Sequence, residues 1–221
     1  MKRMMMLAAA GAMALVSGAA SGAMAQDAGG WQVARKGDLI VTGRVTSVSS
    51  DADDSIMTAA GADTGLNVDV GADVMPTLGF TYFLTDNISV EAILGATQHE
   101  IKAKGGATDV AVHETWVLPP VVTLQYRPMP EARVSPYFGA GVNYMMFFEG
   151  EDKNGFEVEL DDGFGYALQA GADVALTGPW TLNVDVKRVW FDTDATINGG
   201  ALEADVGLDP WVVSVGVGRK F

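Results

Sequence analysis

The chain has 221 residues, 28 acidic against 14 basic for a formal charge of −14, and no cysteine. That acidic excess argues against nucleic acid or bare anionic head groups as partners, and the missing cysteines leave an exported chain no disulfide support. Hydrophobic residues make up 48% alongside 27 glycines, a mixture that alternating strands with a glycine-rich inner face reconcile.

Residues 1–25 read as a secretory leader. Lys2 and Arg3 form a basic head, an apolar stretch follows, and Ala23-Met24-Ala25 makes an A-x-A cleavage site. The apolar stretch is too short for a membrane helix, and no later segment has about 18 uninterrupted apolar residues. Cleavage removes two basic and no acidic residues, taking the charge from −14 to −16. The domain is then residues 26–221.

Eight strands are predicted within it. The first, residues 38–48, alternates weakly and leads into an acidic, glycine- and alanine-rich loop over 51–73. The second, 74–84, carries Leu78, Phe80, Tyr82 and Leu84 on one face, and Thr85-Asp86-Asn87 turns it into the third, 88–98. Residues 102–114 read as a polar loop. The fourth strand, 116–127, is joined to the fifth, 135–148, by Pro128-Met129-Pro130, and 149–161 reads as a charged loop. The sixth, 163–176, passes through Thr177-Gly178-Pro179 into the seventh, 180–192. A last long connection reaches the eighth, 208–221, where Trp211, Val213, Val215, Val217 and Phe221 alternate with small or polar residues.

Short connections follow strands two, four and six, and long ones follow one, three, five and seven, as in antiparallel outer-membrane barrels. Alternation alone equally suits a soluble sandwich or lipocalin-like barrel. The aromatics decide between them. On the apolar column Tyr82, Tyr126, Phe138, Trp180 and Phe221 gather at the short-turn ends, and Trp116, Tyr144, Phe148, Trp190 and Trp211 at the loop ends. Two girdles around an aliphatic band describe a bilayer-facing surface. The reading is an eight-stranded antiparallel transmembrane β-barrel in the outer membrane of a Gram-negative bacterium. Phe221 serves as part of the signal for the assembly machinery, and lipopolysaccharide with its divalent cations meets the acidic loops.

Several blocks together resemble the OmpW family of outer-membrane proteins: Thr85-Asp86-Asn87-Ile88 with Val90-Glu91, Leu118-Pro119-Pro120, the run from Pro136 to Tyr144, and Leu208-Asp209-Pro210-Trp211 with the terminal Phe221. The resemblance implies an eight-stranded barrel with a narrow lumen that takes up small hydrophobic compounds, without enzymatic activity or cofactor.

The residues themselves offer little catalytic chemistry. His99 and His113, beside Glu100 and Glu114, sit at the edges of one outer loop and read as solvated residues rather than a metal site. No Ser-His-acid spacing suggests a hydrolase. Asp51-Ala52-Asp53-Asp54-Ser55 lacks the glycine and terminal glutamate of a calcium loop.

The inward column is more informative. Toward the short turns it carries Glu91, Arg127, Asp173, Asp185 and Lys220, with Lys187 close to mid-height, three acids and three bases. These are expected to pair as a plug, with Arg127 and Glu91 balancing one another, because confined charges persist only when paired or hydrated. Toward the long loops the column becomes apolar, with Met75, Val117, Val121, Met145, Phe147, Val189, Phe191 and Val212 forming a ligand chamber. Pro119 and Pro120 remove two ladder donors from the fourth strand. They mark either a lateral seam against the third or fifth strand or a simple early end. The functional expectation is a barrel that binds or conducts small hydrophobic molecules. The alternative is a structural or adhesive barrel whose loops do the work.

Overall fold

The computed structural model describes residues 30–50, 54–58, 60–70, 72–95, 97–155 and 157–221. The expected leader and residues 51–53 lie outside the described residues, as do the side chains of His99, Trp116, Val117 and Phe148. In chain order, β1 (Leu39–Ser49) is followed by β2 (Ser55–Thr58) and β3 (Asp63–Val70) in the first long connection. β4 (Asp73–Phe83) and β5 (Ile88–Leu94) form a tight hairpin, and β6 (Thr97–Gly105) and β7 (Thr108–Leu118) occupy the second long connection. β8 (Val121–Tyr126) turns into the long β9 (Val134–Asp152), then β10 (Val158–Leu160) precedes β11 (Gly163–Ala175). β12 (Trp180–Trp190), β13 (Asp192–Ile197), β14 (Leu202–Gly207) and β15 (Trp211–Lys220) complete the chain.

Eight of these close on themselves through antiparallel ladders, in the order β1-β4-β5-β8-β9-β11-β12-β15 and back to β1. Closure leaves no sheet edge, which is what a strand protein needs in hydrocarbon. The period-two pattern of β4 fixes its faces: Met75, Thr77, Thr81 and Phe83 are buried, while Leu78, Phe80 and Tyr82 face outward. β1 alternates just as regularly. Its inward column is Thr42, Arg44 and Thr46, and its outward column includes Gly43, so hydropathy hides the period there.

The long connections are not loops. β2, β3, β6, β7, β13, β14 and β10 pair with one another and with the outer half of β9, building a second storey on the barrel. This corrects the expectation of irregular polar loops over 51–73, 102–114, 149–161 and the last connection. Their inward positions are small or apolar. Ile56, Val68, Ala103, Val112, Val158, Ala195, Ile197, Ala204 and Val206 form one buried cluster under a polar outer face. Between β10 and β9 the ring is bridged by acceptors on side chains: Val158 N donates to Asp152 Oδ1 at 3.1 Å, and Phe147 N to Asp162 Oδ1 at 2.9 Å. His113 is buried in this storey and bonds Asp152 at 3.0 Å, so it is not the solvated loop residue expected.

At the opposite end the segment before β1 crosses the mouth of the barrel. Trp31 bridges to Gly178, Val33 is buried, and Gly37 N bonds Phe83 O at 2.8 Å.

Candidate functional site: an apolar chamber on a charged floor

The lower half of the lumen is filled by a connected polar network. Arg44 Nη2 lies 2.6 Å from Glu91 Oε2, and Lys187 Nζ lies 3.1 Å from Glu91 Oε1 and also pairs with Asp185. Arg127 Nη1 meets Asp173 Oδ2 at 2.6 Å. Two amides join these pairs. Gln169 Nε2 donates to Glu91 at 2.8 Å and to Asp185 at 2.6 Å, while Asn183 accepts from Arg44 Nε at 2.8 Å and donates to Asp173 at 2.7 Å. The Tyr137 hydroxyl donates to Asp185 at 2.8 Å. The Arg127 guanidinium lies between the rings of Phe83 and Tyr137, 4.8 and 4.6 Å from their centroids. Desolvated cation–π contacts of this kind are worth about 2 kcal/mol or more.

Three acids thus meet three bases, but the membership differs from the sequence expectation. Lys220 is not in the cluster: its ammonium reaches Val33 O at 3.1 Å and Asp38 Oδ2 at 3.3 Å at the short-turn mouth. Arg44, which the sequence reading missed, takes its place. The expected partnership of Arg127 with Glu91 is also corrected, since Asp173 is the carboxylate on Arg127 and Glu91 belongs to Arg44 and Lys187. The weak alternation of β1 concealed Arg44, yet the glycines opposite hint at a large inward side chain. A Cβ on Gly79 or on Gly216 would run into Arg44.

Above this floor lies an apolar chamber with about 1300 Å³ of empty space, its open mouth included. Met75, Val121, Met145, Phe147, Val189 and Val212 line it, as does Lys187 at its base. Phe191 is buried and packs on Phe147, with ring centroids 6.3 Å apart. The rest of the wall comes from the second storey, including Ile56, Val68, Val112, Ile197 and Val206. Those residues were legible only as the inner parity of segments read as loops. At the outer rim Glu100 bonds Lys102 at 2.8 Å, and that bond raises the ammonium above its ordinary range.

The wall of the chamber is interrupted beside β8. β5 and β8 pair up to Ile93↔Val121, and β6 and β7 resume at Thr97↔Val117. Between them no ladder pairing is present among the described residues, and Pro119 and Pro120 stand there. On the other flank the chain stays bonded to β9, through Leu118↔Met146 and Tyr144 N to Pro120 O at 3.1 Å. The neighbouring edge of β4 likewise has its last β5 partner at Leu78↔Leu94. Pro76, outward-facing and without a donor, lies beyond that point; the sequence reading passed over it.

A closed eight-stranded barrel with an aliphatic belt, exposed aromatics toward both rims and a buried polar lumen is an outer-membrane β-barrel. Comparison with known proteins narrows this. The model of the OmpW family matches residues 35–221, and the chain belongs to that family. It is 36% identical over 203 residues to outer membrane protein W of Vibrio cholerae serotype O1, covering 85% of this chain and 90% of that protein. It is 30% identical over 180 residues to the dibenzothiophene metabolism operon protein PahQ of Pseudomonas aeruginosa, covering 80% of this chain and 85% of that protein. Among solved structures, the outer membrane protein OprG of Pseudomonas aeruginosa superposes with a TM-score of 0.80 at 32% identity, covering 88% of this chain and 99% of that one.

Proposed function

We propose that this barrel takes up small hydrophobic molecules from outside the cell and releases them sideways into the outer membrane. The observation that carries the reading is the apolar chamber standing on a charge-paired floor. An apolar solute gains by leaving water for the chamber. To continue straight through, it would have to part Arg44 from Glu91 and Arg127 from Asp173, each a buried pair whose disruption costs several kcal/mol. The interruption beside Pro119 offers a path that breaks no such pair. The relative named for a dibenzothiophene metabolism operon is consistent with an apolar cargo.

In an antiparallel strand the N–H and C=O of one residue point to the same neighbour. Because Pro120 O bonds Tyr144 N of β9, the donor facing β5 and β6 is the one Pro119 lacks. Pro119→Val should therefore slow naphthalene uptake by cells while leaving the barrel at least as stable, and Pro120→Val should leave uptake unchanged. Wild-type uptake by a well-folded Pro119→Val variant would remove the lateral route.

A further inference from the structure

One buried side chain at the base of the chamber has no place in the polar network beneath it. Asn143 is 1% exposed and lines the chamber, yet neither its Oδ1 nor its Nδ2 has a hydrogen-bond partner among the described residues. The contrast with its neighbours is sharp. Gln169 accepts from Thr123 and donates to Glu91 and Asp185, and Asn183 accepts from Arg44 and donates to Tyr137 and Asp173. Gln125 keeps its Oε1 bonded to Ser89 and Arg127 with only Nε2 unpartnered, whereas Asn143 is left with donor and acceptor both unused among the described residues, although burying an unbonded amide is costly.

The backbone also makes room for this amide. Asn143 pairs across β11 with Gly165, where a Cβ would collide with Asn143 Oδ1 and with Trp190 O. Its other cross-strand neighbour is Val121, which is apolar and lines the same chamber. The remaining polar groups at this level are already engaged: Thr46 bonds Thr77 at 2.7 Å and Ser214 at 3.0 Å, and the Lys187 ammonium is neutralised by Glu91 and Asp185.

We infer that Asn143 is a ligand-recognition residue that selects hydrophobic molecules carrying one neutral hydroxyl, held with the hydroxyl on its amide and the apolar body in the chamber above. A hydroxyl donates and accepts at once, matching an amide with both functions free. The floor is charge-balanced, so an anionic head has no spare cation to meet. This assignment rests on the proposed role of the chamber in taking up hydrophobic molecules, and it names the class of solute that would be held best.

The probes are naphthalene, 1-naphthol and 1-naphthoate, titrated at neutral pH onto the full chain in lipid nanodiscs, with empty nanodiscs subtracted. Wild-type protein should bind 1-naphthol about tenfold more tightly than naphthalene, the worth of one well-placed hydrogen bond in a dry site, and more tightly than the carboxylate. Asn143→Leu should lose that preference and bind 1-naphthol no more tightly than naphthalene. Should that variant fail to fold, the wild-type Asn143 side-chain amide resonance provides the reading. It should shift on adding 1-naphthol and stay in place on adding naphthalene. Equal affinity for the two, a preference that survives in Asn143→Leu, or a tighter grip on 1-naphthoate would overturn the assignment and leave the chamber standing. Failure of every probe to bind saturably would overturn the chamber as a ligand site, and this assignment with it.

Discussion

The pairing of Arg127 with Asp173 gives the most direct test of the charged floor. Replacing Arg127 with Met keeps most of the apolar stem but leaves the Asp173 carboxylate with Asn183 Nδ2 at 2.7 Å as its remaining side-chain bond. Breaking a buried pair from one side costs about 3–5 kcal/mol. The Asp173 side chain is 11% exposed and borders a small cavity at the short-turn mouth, so water reaches it in part and the lower figure of about 3 kcal/mol applies. Losing the guanidinium between Phe83 and Tyr137 adds about 1 kcal/mol, most of which Met recovers by contact with the same rings. Asp173→Asn removes the stranded charge, so the double variant should regain about 2 kcal/mol over additivity. Glu91→Gln, whose carboxylate serves Arg44 and Lys187 instead, should couple to Arg127→Met less than half as strongly. Reversible urea unfolding in lipid vesicles, followed by tryptophan fluorescence, measures all four corners of each cycle. Strict additivity for Arg127 with Asp173, or equal coupling to Glu91, would refute this division of the cluster.

Gly171 faces the ring and hydroxyl of Tyr137 and the Val184 carbonyl, so Gly171→Ala should cost about 1–3 kcal/mol in the same unfolding assay, as overpacking does. Gly43, with nothing within 4 Å of a built Cβ, is the control, and Gly43→Ala should stay within about 0.5 kcal/mol. Equal effects at the two sites would show that the lumen is not close-packed at Tyr137. Phe221 is outward-facing and its backbone closes the last strand onto Leu39, so Phe221→Ala should lower the heat-modifiable, assembled fraction in the outer membrane. Undiminished assembly would remove its part in the assembly signal.

The barrel was legible because its outer face is read by lipid. Leu78, Phe80 and Tyr82 on β4, and Val215 and Val217 on β15, alternate with small or polar residues strongly enough to give strand and face together. The second storey was not, for the converse reason. Its outer face meets water and its inner face is built of small residues such as Ala103, Ala195 and Ala204, so the period-two signal is weak and charged residues dominate. β13 illustrates this. Thr193, Ala195 and Ile197 are its buried parity, between Asp194 and Thr196, and composition alone makes such a run look like a loop. The charged floor was legible except for Lys220 and Arg44. Parity placed Glu91, Arg127, Asp173, Asp185 and Lys187 inside, but height along the axis depends on strand stagger, which sequence does not state. Lys220 instead reaches Val33 and Asp38 at the short-turn mouth, and Arg44, whose partners across β4 and β15 are Thr77 and Gly216, extends to Glu91.

Register separates the two sides of the interrupted wall. From Ile93↔Val121 to Thr97↔Val117 the pairing moves four residues along one strand and four back along the other, so the ladder resumes in step across Pro119 and Pro120. Across β4 the geometry is different. Leu78↔Leu94 is followed by Val70↔Ile101, eight residues back against seven forward, so one residue of offset enters before pairing returns. A restored N–H can close the first side, because its partner already lies in register. On the β4 side a one-residue offset separates the two ladders, and a single restored N–H does not remove it. Under the proposed lateral route, Pro119→Val restores a donor on the β8 side alone and leaves the offset on the β4 side in place. A valine at Pro119 is therefore the smallest change that distinguishes the two.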